Sequence, residues 1–181
     1  MKKLYLVTGN QGKAQYASKL LGLPIEHYKT DIDEIQSLDL QEVVEKKLLT
    51  AYNEILQPTI VEDVSLEIGG KSMPGTFIKF FVEVYGLEEL CKMFGQNPTA
   101  TAKCIIGYKD ENVVKFFSGE LNGTIASQPK GEKGYGWDKI FIPNGYNQTR
   151  GEMNEQDDKH TYLQYKRFDL LREFLELERE K

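Results

Sequence analysis

The chain has 181 residues, a net charge of −5, 40% hydrophobic and 28% charged residues, the make-up of an ordinary globular protein. That acidic balance excludes the broad basic surface a nucleic-acid polymer or an anionic membrane would need. Its two cysteines, Cys91 and Cys104, form no C-x-x-C pair, which excludes a zinc framework or disulfide scaffold and fits a reducing cytosol. The length suits one domain over 1–181. The apolar run after Lys2 and Lys3 is too short for a signal-peptide core and is interrupted at Gly9 and Asn10. Lys79 and Glu83 break up the aromatic stretch at 77–87, so no bilayer span and a cytoplasmic location are expected.

In chain order, KLYLVT (3–8) reads as a buried strand, followed by a helix from about Lys13 to Leu21 that ends at Gly22. A second strand fits 24–30, then acidic DIDEIQSLD (31–39), then a long amphipathic helix over 40–56. QPTIVEDVSLEIGG (57–70) reads strand, turn, strand, and Pro74 is placed to open a helix, with another over 86–95. At 99–127 two apolar runs flank Lys109-Asp110-Glu111-Asn112, a hairpin followed by a third strand. WDKIFIP (137–143) is one more strand. The segment from His160 onward is predicted as a single closing helix, with Leu163, Leu170, Leu171, Phe174 and Leu175 at helical spacing. Mixed helices and strands with a central antiparallel patch point to an α/β fold around a long mixed sheet.

Three stretches can carry chemistry. Thr8-Gly9-Asn10-Gln11-Gly12 joins a strand to a helix whose free N–H groups favour phosphate oxygens, with Lys13 adding charge in the first turn. It is not a Walker A loop, since Val7 stands where the first glycine belongs and Ala14 replaces the magnesium-binding hydroxyl. A plain β–α turn is the competing reading. Glu62 and Asp63 stand at the end of an apolar strand, and Asp31, Asp33 and Glu34 lie before it; carboxylates of this kind suit Mg²⁺ shared with substrate phosphates, or simply a solvated acidic turn. Adjacent Glu62 and Asp63 face opposite ways in a continuous strand, so a shared site requires the backbone to turn there. In GEKGYGWDK (131–139), Tyr135 and Trp137 around Gly136 can stack a nucleobase beside Asp138, or Trp137 can be core. With only His27 and His160 present, a nucleophilic triad has no motif.

Together TGNQGK (8–13), IVEDVSLEI (60–68), MPGTFIKFF (73–81), YGWDKIFIP (135–143) and GYNQTRGEM (145–153) resemble, in order and over nearly the whole chain, the Ham1-like inosine triphosphate pyrophosphatases. The resemblance implies an elongated mixed-sheet α/β fold flanked by helices, two lobes with a central substrate cleft, and a homodimer. It implies Mg²⁺-dependent hydrolysis of deaminated purine triphosphates (ITP, dITP, XTP) to the monophosphate and pyrophosphate. Carried onto this chain, Thr8, Gly9, Asn10 and Lys13 would bind the triphosphate. Glu34, Glu62 and Asp63 would hold metal, Asp63 would be the base, and Lys13 and Lys47 would stabilise the leaving group. Tyr135, Trp137, Asp138 and Lys159 would lie on the base or sugar side. The family's Ser-His-Arg triplet is missing. Tyr165-Lys166-Arg167 is the nearest counterpart, leaving Lys166 and Arg167 as the cationic donors expected to read a 6-oxo purine. A non-catalytic nucleotide sensor, a pyrophosphatase with relaxed or altered base selectivity, a Maf-like pyrophosphatase and a plain interaction protein are the alternatives.

Overall fold

The computed structural model describes residues 3–9, 11–30, 32–95, 98–134 and 136–179, so the expectations for Asn10, Asp31 and Tyr135 lie outside the described residues. The elements are β1 (Tyr5–Val7), α1 (Gln11–Leu21), β2 (Glu26–Tyr28), α2 (Leu40–Ile55), β3 (Thr59–Ile68), β4 (Lys71–Gly75), α3 (Ile78–Phe94), β5 (Thr99–Lys109), β6 (Val114–Ile125), β7 (Phe141–Pro143), a short 3₁₀ turn at Arg150–Glu152, α4 (Glu155–Lys166) and α5 (Phe168–Arg179). The described strands form one mixed sheet of seven in the order β2-β1-β3-β5-β6-β7, with β4 paired to β3. β1 runs parallel to β2 and β3, whereas β4 and β7 are antiparallel to their partners. The α/β expectation holds.

Two compact units share the chain. Met1–Asp63, Cys104–Gly119 and Lys166–Lys181 make the first, and Val64–Lys103 and Glu120–Tyr165 the second. In the first unit, β1 and β3 are covered on both faces, which explains why TIVE in β3 is buried throughout. One face packs α2 through Leu40, Val44, Leu48 and Ala51 onto Val7 and Val61. Each fully buried leucine there contributes about 2 kcal/mol. The helix starts where Asp39 accepts hydrogen bonds from the N–H groups of Gln41 at 2.9 Å and Glu42 at 3.4 Å. On the other face α1 packs with α5, and Phe174 meets Tyr108 and Phe117 edge-on or tilted at 5.4 and 5.9 Å.

The second unit contains β4, α3, β7 and nearly all of α4. α3 is broken at Gly86, whose φ of 73° and ψ of 165° interrupt the helical ladder, so two helical stretches meet there as the spacing implied.

Five expectations are corrected. β3 is one strand over Thr59–Ile68 with no turn at 62–63, and the chain reverses only after it into β4. Pro74 does not open a helix. It sits in β4 opposite Glu67, on a strand paired only to β3, where a missing N–H is tolerated, and α3 starts at Ile78. β6 runs to Ile125 without a third strand, because Gly119 and Gly123 stay in extended pairing. The strand predicted over 137–143 keeps only Phe141–Pro143, the residues before it forming turns. The closing helix is two helices, α4 and α5, parted at Arg167, whose φ of 43° cannot propagate a right-handed helix.

Candidate active site

β1 ends beside β2, where the Thr8 N–H donates to the Tyr28 carbonyl at 3.3 Å and His27 Nε2 meets the Thr8 carbonyl at 2.7 Å. Gly9 is exposed, with open space where a side chain would stand, and α1 begins at Gln11. Parallel β3 brings Glu62 and Asp63 into the same unit. Because β3 runs straight, the two carboxylates face opposite sides and acquire different lysines.

Glu62 turns inward, its side chain only 5% exposed. Lys166 Nζ donates to Glu62 Oε1 at 2.6 Å, and Lys13 Nζ stands 3.6 Å from the same oxygen. The Lys166 side chain is 3% exposed and that of Lys13 22%. Burial pushes the Glu62 carboxyl upward, but Lys166 and then Lys13 outweigh it and hold it at about 2. Cys104 is buried nearby on β5, and burial reinforced by the Glu62 charge raises its thiol well above the ordinary range, leaving it a poor nucleophile.

On the α2 side, Lys47 Nζ donates to Glu34 Oε1 and, at 3.2 Å, to Asp63 Oδ2. Burial lowers the Lys47 ammonium, yet Asp63 and Glu34 together leave it raised, so it stays charged. Glu34 is the open end of this group, its side chain 45% exposed against 20% for Asp63. Glu34 and Asp63 are therefore two carboxylates gathered on one lysine, with Glu34 on the solvent side. Among the described residues no three acidic, histidine or cysteine side chains are clustered. Two carboxylates completed by phosphate oxygens and water nevertheless suit Mg²⁺ chemically, and Glu34 with Asp63 fit that description.

The remaining expected residues are divided between the two units. Arg167 lies between α4 and α5 and pairs with Asp169 at 3.1 and 3.0 Å, which raises its guanidinium through that hydrogen bond. Lys166 does not present its amine outward; it is spent on Glu62. Lys159 is exposed on α4 in the second unit.

In that second unit Trp137 is buried and meets Phe141 edge-on at 5.4 Å, the core reading of its ring. Asp138 is also buried: its Oδ1 accepts from Arg150 Nε at 3.0 Å and its Oδ2 from the Tyr162 hydroxyl at 3.0 Å. Gly134 makes room, since a Cβ there would lie 2.5 Å from Asp138 Oδ2. Sequence reasoning missed Arg150, whose side chain is wholly buried. It donates to Asp158 at 2.9 Å and Thr161 at 3.3 Å and stacks 3.5 Å over the Tyr162 ring. The available signal was its place in GYNQTRGEM, one arginine in a stretch otherwise read only as a family match.

Two outcomes follow from these pairs. Arg150→Ala strands Asp138 in the interior and is expected to cost about 3–5 kcal/mol, read as a lower urea midpoint with an unchanged slope. Glu62 has a folded value of about 2 against an ordinary 4.5. Its contribution to stability is complete above the ordinary value and is lost as pH falls through the folded one. The stability gap between the wild type and Glu62→Gln should therefore shrink steadily between about pH 5 and about pH 2 in acid-unfolding curves.

A family model described as the Ham1 family matches residues 4–174. The inosine triphosphate pyrophosphatase 2 of Trypanosoma cruzi is 38% identical over 164 residues, 86% of this chain and 83% of that protein. The inosine triphosphate pyrophosphatase of Yarrowia lipolytica is 35% identical over 178 residues, 93% of each chain, and that of Schizosaccharomyces pombe is 33% identical over 188 residues, 99% and 98%. In fold, the chain matches the Staphylococcus aureus Ham1 protein with a TM-score of 0.77 at 22% identity, covering 97% of this chain and 100% of that one. A Ham1 protein from Coxiella burnetii matches with a TM-score of 0.78 at 21% identity, covering 97% and 98%. The chain belongs to the Ham1 family.

Proposed function

We propose that the chain is a nucleoside-triphosphate pyrophosphatase that hydrolyses deaminated purine nucleotides (ITP, dITP and XTP) to the monophosphate and pyrophosphate. The names of its relatives point this way. The observation that carries the reading is the grouping, in one unit, of Lys13, Lys47 and Lys166 with Glu34, Glu62 and Asp63 beside the glycine turn into α1. Lys13 keeps part of its own side chain exposed, and Lys47 pairs with the nearly half-exposed Glu34. A polyphosphate competes with carboxylates for such ammonium groups and meets the N–H groups at the start of α1.

In the reaction, water adds to the α-phosphorus, the bond to the bridging oxygen breaks, and pyrophosphate leaves as the monophosphate forms. Asp63 accepts or orients the water proton, and Lys13 and Lys47 meet the negative charge growing on the departing oxygens. Glu34 and Asp63 would hold Mg²⁺, which when bound offsets phosphate charge. A hypoxanthine base offers a 6-oxo acceptor where adenine offers an amino donor, so a cationic donor at that edge rejects adenine. Arg167, partly exposed, is the candidate left for that role once Lys166 is engaged elsewhere.

A homodimer and a cytoplasmic location belong to the same reading. Met73, Phe80, Val84, Tyr85 and Met93 expose apolar surface on β4 and α3, which favours a protein partner such as a second copy. Both described cysteines are free, as in a reducing compartment, and among the described residues no helix is long and apolar enough to cross a membrane.

A panel of ITP, dITP, XTP, GTP and ATP, assayed for pyrophosphate with and without Mg²⁺, tests activity, metal and selectivity together. ITP and dITP should exceed ATP in kcat/KM, and Asp63→Asn should lose about a hundredfold or more in kcat. Binding of ITP with no pyrophosphate released would make the chain a nucleotide sensor instead. Sedimentation should give twice the chain mass; a mass of one chain refutes the dimer.

A further inference from the structure

Glu62 has two ammonium groups competing for a single oxygen, and they are not equivalent. Lys166 is nearly sealed and stands 2.6 Å from Oε1, while Lys13 is 22% exposed and stands 3.6 Å away. Lys47 acts on the same carboxylate from α2 at longer range, and the Cys104 thiol faces it from β5. An anion arriving from solvent can reach the outer lysine and not the inner one.

We propose that Lys166 is a positioning residue of the triphosphate site: it holds Glu62 permanently, so that Lys13 can turn from Glu62 to a phosphate without stranding a buried charge. The proposal rests on the reading of Lys13 as a phosphate-facing lysine. With Lys13 alone on Glu62, every binding event would break a buried ion pair and leave a carboxylate unpaired in the interior, a heavy penalty. With Lys166 present, Glu62 keeps its closer partner throughout. The left-handed turn at Arg167, braced by Asp169, is what separates α4 from α5 where Lys166 turns onto Glu62. Lys166 thus takes no part in reading the base.

The probe is inorganic tripolyphosphate without metal, its affinity measured by calorimetry on the full chain. Lys166→Met should weaken binding about tenfold or more, because Glu62 then captures Lys13. Lys166→Arg should stay within about threefold of the wild type, and Glu62→Gln combined with Lys166→Met should return to that range, since no buried charge then competes for Lys13. A merely structural lysine predicts no such recovery. Lys166→Met within about twofold of the wild type, or a double variant as weak as the single one, overturns the proposal. If Lys166→Met does not fold, Lys166→Gln replaces it, alone and combined with Glu62→Gln, with the same loss and recovery expected and the same results overturning the proposal. A wild type that binds tripolyphosphate but releases no pyrophosphate from ITP would refute the pyrophosphatase reading and leave this inference standing. A wild type that does not bind tripolyphosphate overturns the inference outright.

Discussion

A carboxylate held at 5% exposure within a strand must be kept paired, and the first unit is arranged around that requirement. Glu62 lies in the part of β3 that is buried on both faces, so water cannot serve it. α1 supplies one ammonium group from its first turn, and the residue that closes α4 supplies the other. The interruption at Arg167 takes its meaning from the same need. A continuous helix through 166–168 would have to follow one axis, whereas the break lets Lys166 meet Glu62 while Phe168 and Leu171 enter the core from α5.

The straight run of β3 then divides the charges. Its two-residue repeat sends Glu62 and Asp63 to opposite faces, where they form two groups of contrasting character. The Glu62 group is closed, with one lysine inside and one toward solvent. The Asp63 group is open, because Glu34 at its rim is nearly half exposed and Lys47 is shared between the two acids. On the proposed reading, a phosphate chain displaces the outer lysine of the Glu62 group while the inner pair stays in place, so that the inner pair is a fixed electrostatic frame and the outer contact an exchangeable one.

Much of this was legible from local pattern. The helix over Leu40–Ile55 follows from its apolar spacing; Lys13, Glu34, Glu62 and Asp63 stand out as candidates by motif and residue chemistry, and Lys47 enters only through the family resemblance. What local pattern could not supply was pairing over distance. Nothing near Lys166 says that its partner is Glu62, so a lysine beside an arginine read as a donor toward the base. Arg150 was passed over for the same reason: a charge buried over a tyrosine ring looks, in sequence, like one on a surface turn. Pro74 misled because a proline suits both the first turn of a helix and a strand at a sheet edge, and only the pairing with Glu67 decides between them.

Glu62 and Lys166 are separated by 104 residues. As the polypeptide emerges from a ribosome, β3 is complete long before the inner lysine exists, and for that interval the acid has Lys13, the more distant Lys47 and solvent. Closing so large a loop is entropically costly and comes late. The interior of the first unit therefore cannot take its final form while the chain is being synthesised through its middle, and a growing chain halted before Lys166 would carry the glutamate without the inner ammonium that lets it remain dry.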